Sequence, residues 1–226
     1  DSNYLYYVSA DNDTDRGAVY QIPVIGGTPR MLMDDLHARV AVSPDGREIA
    51  YVRTDRAAKR SILARRSVAG GEERVVAEKK LPDTFTNTSW SPDGTELAFT
   101  YVTYGGGYHA IIGTMPAAGG DEKVINAPRW RIVDTLGWMP ETNELVINAK
   151  DRSDSRNQLW LLAPNGTARR ITNDLSDYES ASLTADGRTL VTLQRNSAAT
   201  IWLALSASGQ QARPLSRAPE NLDGMH

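Results

Sequence analysis

The residue types that carry most protein chemistry are scarce in this 226-residue chain, which has three histidines, His37, His109 and His226, and no cysteine. Without cysteine there is no thiolate nucleophile, no disulfide and no sulfur-based metal site. The three imidazoles stand at no spacing that a metal site uses. Carboxylates are more numerous, but Asp45, Asp93 and Asp186 occupy equivalent turns of a repeat, too far apart for two to share a proton. Each is expected to accept backbone N–H bonds within its own turn. The run Asp11-Asn12-Asp13-Thr14-Asp15-Arg16-Gly17 resembles the opening of a calcium loop, in which alternate carboxylates converge on one cation. Its glycine falls one place late and Ile22 stands where the closing glutamate belongs, so it reads as a solvated hairpin tip. The charged run from Lys150 to Arg156 reads the same way. A Gly-x-Ser-x-Gly nucleophile elbow, a His-Glu-x-x-His pair and a phosphate-binding glycine loop are all absent. The sequence therefore predicts no catalytic residue, no metal and no cofactor.

What remains is recognition chemistry. Tyr104-Gly105-Gly106-Gly107-Tyr108-His109 and Pro128-Arg129-Trp130-Arg131 place aromatic rings, with arginine, on two loops. Such residues anchor protein interfaces, because they bury large area and offer fixed donors. Tyr108, His109, Trp130 and Arg131 are accordingly candidate binding residues. The competing reading is that Tyr108 and Trp130 cap the edges of neighbouring sheets while the glycines let a long hairpin turn.

The elements that would position these loops are repeats. Residues 40–51, 88–99, 136–147 and 181–192 each read as an apolar strand, a tight turn and a second apolar strand. The turns are Ser43-Pro44-Asp45-Gly46, Ser91-Pro92-Asp93-Gly94, Met139-Pro140-Glu141-Thr142 and Thr184-Ala185-Asp186-Gly187, and their second position recurs after 48, 48 and 45 residues. Proline presets φ at that position and glycine two places on supplies a positive φ; in the third copy Asn143 is expected to take the left-handed region. Val42, Trp90, Trp138 and Leu183 precede the turns in register and Ile49, Leu97, Leu145 and Leu190 follow them, with apolar and small or polar positions alternating. The tryptophans read as inter-sheet packing. A second marker runs out of phase: Gly26-Gly27, Gly70-Gly71, Gly119-Gly120, Asn165-Gly166 and Ser208-Gly209. Each unit is thus four antiparallel strands, a to d, with the first marker joining a to b and the second joining c to d. A period in the forties with strand periodicity predicts an all-β propeller of four-stranded blades.

The markers predict about five blades, at 1–35, 36–80, 81–127, 128–174 and 175–216, with 217–226 starting another. Tyr4-Leu5-Tyr6-Tyr7-Val8 reads as strand b of a blade lacking its strand a, so the expectation is a segment of a larger propeller with open edges that self-associate. The short a-to-b and c-to-d turns share one face. The long, dissimilar b-to-c and d-to-a connections share the other, which makes that face the candidate binding surface. His37, Phe85, Val133 and Tyr178 fall at one repeat position, where strand a enters near the channel mouth. A structural position tends to repeat one residue type, so His37 and Tyr178 join the candidate set, although variable entry loops also look this way.

Composition suits many turns, with 18 Gly and 11 Pro, and a net charge of -3 with no basic stripe argues against nucleic acid. No apolar run approaches the length of a membrane span. The turns in context, WSPDGTELAFT and VSPDGREIAYV, resemble the TolB-like, WD-related β-propeller repeat of bacteria over nearly the whole chain. That resemblance implies strand a beside a central channel and strand d at the rim. It also implies a non-catalytic module that binds a protein or peptide within a larger periplasmic or otherwise extracytoplasmic scaffold or sensor. The alternative it carries is the substrate-gating propeller of a prolyl-oligopeptidase-type serine peptidase without its hydrolase domain.

Overall fold

The structure is a computed structural model that describes residues 3–11, 16–36, 40–151, 156–184, 186–195, 202–203 and 213–214. The described elements are all β-strands and fall into two units, Asp1–Gln194 and Arg195–His226. Strands β1 (Tyr4–Asp11), β2 (Arg16–Pro23) and β3 (Arg30–Leu36) pair in that order. Three four-stranded antiparallel sheets follow in simple meander order. The first holds β4 (Val40–Val42), β5 (Glu48–Asp55), β6 (Arg60–Ser67) and β7 (Arg74–Lys80); the next holds β8 (Thr84–Trp90), β9 (Glu96–Thr103), β10 (His109–Pro116) and β11 (Lys123–Val124). The last of the three holds β12 (Ile132–Trp138), β13 (Leu145–Lys150), β14 (Asn157–Leu162) and β15 (Ala168–Arg170). After them β16 (Asp177–Leu183) pairs with β17 (Leu190–Arg195). In the second unit β18 (Trp202–Leu203) pairs with β19 (Arg213–Pro214). The all-β architecture of repeated four-stranded sheets is the one the two markers predict.

The turns work as the sequence requires. Ser43 Oγ donates to Asp45 Oδ1 at 2.6 Å, that carboxylate takes the Arg47 N–H at 3.0 Å, and Ser43 Oγ accepts from Glu48 N at 2.9 Å. Ser91 and Asp93 repeat the arrangement with Thr95 and Glu96, and Thr184 and Asp186 repeat it again. These hydroxyl and amide donors hold Asp45, Asp93 and Asp186 below the usual carboxylate range. Asn143 takes the left-handed conformation at φ 58°.

The cores lie between consecutive sheets. Val19 and Met33 of the first sheet pack with Ile49, Tyr51, Ile62 and Ala64 of the second. Ala50, Val52 and Leu63 pack instead with Phe85, Leu97 and Phe99 of the third, and Ala98, Ala110 and Ile112 pack with the fourth. Successive residues of a b strand therefore serve opposite seams: Ile49 and Tyr51 face one, Ala50 and Val52 the other. That is why b strands carry a run of consecutive apolar residues, such as Ile49-Ala50-Tyr51-Val52; burial on both faces there removes the need for a polar one. Burying side chains of this size stabilises by roughly 1.5–3 kcal/mol each.

Candidate functional site

The loop after β9 is built from glycine because it must reverse within a few residues. Gly106 and Gly107 have φ of 72° and 94°, and Gly107 N donates to Tyr104 O at 3.1 Å. His109 sits at the base, buried, in register with Thr103, with its Nδ1 2.6 Å from the Gly107 carbonyl oxygen. This closure presents two rings together: Tyr104 and Tyr108 meet edge to face with centroids 5.4 Å apart, and they are 56% and 42% exposed. Beside the hairpin, the segment that leaves β11 rejoins β10 through a single bridge, where Ala110 N donates to Trp130 O at 2.9 Å. There Trp130 turns inward, 1% exposed, and meets Trp160 edge to face at 4.6 Å. Neighbours of an inward residue on extended backbone point the other way. Arg129 and Arg131 accordingly lie exposed on either side of it, with the Arg129 guanidinium 3.7 Å from where a Cβ on Gly106 would stand.

A second concavity lies among the inner strands. A cavity of about 570 Å3 is lined by β4, β8, β12 and β16, by their turns, and by Tyr4 and Tyr6 of β1. None of its lining residues is Asp, Glu, Lys, Arg or His. Much of its polar chemistry is already committed to the scaffold. Ser43 and Ser91 serve their turns, Thr88 Oγ1 donates to Ala98 O at 3.0 Å, and Asn87 Nδ2 donates to Val133 O at 2.9 Å. Tyr6 accepts from Gln21 at 2.9 Å. The cavity offers no acid, base or charged anchor. Among the described residues no three His, Cys, Asp or Glu side chains are grouped to hold a metal ion.

No family model matches the sequence, and no curated protein matches it either. Solved structures do. TolB from Acinetobacter baumannii superposes with a TM-score of 0.66 at 18% identity, over 88% of this chain and 48% of that one. A putative TolB from Agrobacterium tumefaciens gives 0.59 at 18% identity, over 74% and 61%. The fold is a TolB-like β-propeller. The β-propeller domain of the Trilobed protease from Pyrococcus furiosus, described as having an open velcro topology, is also similar, with a TM-score of 0.51 at 14% identity over 93% and 66%. This propeller chain spans about half the length of the first TolB structure and about three fifths of the second.

The propeller sorts the sequence candidates into three groups. Tyr108 and Arg131 are exposed. Trp130, His109 and Tyr178 require correction, because all three are buried. Trp130 plugs the seam with Trp160, and His109 braces the hairpin. Tyr178 donates its hydroxyl to Asp174 Oδ2 at 2.7 Å, which raises the phenol pKa and lowers that of the carboxyl. Its repeat equivalents Phe85 and Val133 are buried as well, each in the core between two sheets, and none of the three lines the inner cavity. His37 lies outside the described residues, as do 12–15 of the calcium-like run, 152–155 of the charged hairpin, and 217–226. Tyr104 and Arg129, which lie in the two loops singled out in the sequence but are not among its candidate residues, are exposed beside Tyr108 and Gly106. The Arg-Trp-Arg order points the arginines outward only once the tryptophan is known to face inward, which the bridge to Ala110 decides.

Proposed function

We propose that this propeller is a non-catalytic binding module that docks a protein or peptide on its long-loop face, as part of a larger extracytoplasmic scaffold or sensor. The observation that supports this reading is the exposed Tyr104–Tyr108 pair flanked by Arg129, held on a glycine hairpin that His109 and Trp130 brace from within. Tyrosine and arginine on a rigid frame are the residues that dominate interface energetics. The lining of the inner cavity, uncharged and largely committed to the scaffold, directs attention to this face.

The test is capture of envelope proteins by the immobilised chain, wild type against Tyr108→Ala and Arg131→Glu. Loss of a specific captured protein with an unchanged melting temperature is expected. Capture that survives both substitutions would refute the site.

A further inference from the structure

We infer that the segment docked on this face is an acidic peptide in extended conformation, carrying carboxylates at alternate positions; this rests on the docking reading above. The argument starts from the charges. The protein has a net charge of -3, and in the second sheet three of the arginines hold carboxylates: Arg53 with Glu73, Arg60 with Asp55 and Glu78, Arg65 with Glu48. Arg129 and Arg131 make no ion pair among the described residues; both are exposed, Arg129 beside the tip of the Tyr104–Tyr108 hairpin and Arg131 two residues farther along the chain. In a chain with acid to spare, two adjacent unpartnered guanidinium groups are complementary to an anion from outside.

Their spacing narrows the ligand. Residues two apart on extended backbone stand on one side, roughly 6–7 Å apart along the chain. An extended partner has the same period, so side chains at alternate positions meet the two arginines in turn, each as a planar fork against a carboxylate. Exposed ion pairs alone contribute little. The tyrosine rings supply the apolar contact, and the arginines select which segment lies on them. The Arg129 guanidinium lies 3.7 Å from where a Cβ on Gly106 would stand, an ordinary contact distance, so the positive φ of 72° is what calls for glycine at the tip.

A displayed random-peptide library, panned on the whole chain, tests the proposal. Recovered sequences are expected to be enriched in Asp or Glu at alternate positions, with binding that weakens at least tenfold as salt rises and in the Arg129→Gln/Arg131→Gln double variant. The charge-reversed Arg129→Glu/Arg131→Glu variant is expected to select basic peptides instead. Neutral or basic peptides that bind the wild type, lose binding in Tyr108→Ala and ignore both arginine variants would overturn the acidic inference and leave the docking reading standing. Recovered peptides insensitive to Tyr108→Ala and to the arginine variants, or no recovery at all, would overturn both. Equal displacement of the selected peptides by heparin and by free acidic peptide would overturn it in favour of a general polyanion surface.

Discussion

Trp138 donates its indole N–H to the Ser89 carbonyl at 3.3 Å, and Trp90 donates to the Ala41 carbonyl at 3.1 Å, each across 49 residues. One side chain thus ties β12 to β8, and another ties β8 to β4. Trp138→Phe keeps most of the packing and loses the bond, so it is expected to lower stability by about 1 kcal/mol, while Trp138→Ala lowers it by about 3–5 kcal/mol. Urea denaturation of the two variants checks the split.

Trp130 and Tyr108 come from one sequence argument and now predict opposite behaviour. Trp130 is 1% exposed, and Trp130→Ala is expected to cost about 3–5 kcal/mol in thermal or urea unfolding. Tyr108, 42% exposed, is expected to change stability by no more than about 0.5 kcal/mol on truncation. A comparable loss at both would mean that the hairpin is part of the core.

Two glycines with positive φ are expected to respond differently to alanine. A Cβ on Gly94 would meet Pro44 Cδ at 3.7 Å, so Gly94→Ala carries only the backbone strain of φ 72°, about 1–2 kcal/mol. On Gly166 it would stand 2.1 Å from the Asn126 carbonyl oxygen, an overlap that neither backbone can relieve locally. Gly166→Ala is therefore expected to lower the melting temperature well beyond Gly94→Ala.

Glu73 predicts an acid-sensitive brace. It accepts from Tyr51 Oη at 2.6 Å and from both Nε and Nη2 of Arg53, and these donors hold its pKa below the ordinary value of 4.5. A carboxyl depressed on folding contributes stability that is fully present above the unfolded pKa and is lost as pH falls through the folded one. Glu73→Gln should be less stable than wild type at neutral pH, and the gap should close below the ordinary glutamate range. A gap independent of pH, measured by denaturation across that window, would sink the assignment.

The outer edge of β1 pairs with no strand among the described residues, and Tyr4, Leu5, Tyr7 and Val8 are all at least 36% exposed. Self-association through this edge is the expected consequence. Sedimentation should show concentration-dependent association that Leu5→Lys or Tyr7→Pro reduces.

The turns were legible in the sequence because their geometry is local: Ser, Pro, Asp and Gly each answer a demand made within four residues. The facing of Trp130 was not, because one bridge to Ala110 decides it, and a loop has no periodicity from which to read it. The Trp90 and Trp138 donors were legible as packing but not as hydrogen bonds, since their acceptors are main-chain carbonyls that leave no mark on residue type. Tyr178 misled for a related reason: variation at a repeat position was read as ligand contact, whereas Phe85, Val133 and Tyr178 are all buried.

Because alternate residues of one strand serve different seams, the described sheets share no single core whose loss dissolves the rest. Each sheet is held by its neighbours, as in other stacked repeats. Damage at one seam then acts like a fracture line, separating the flanking sheets while those farther away keep their own contacts.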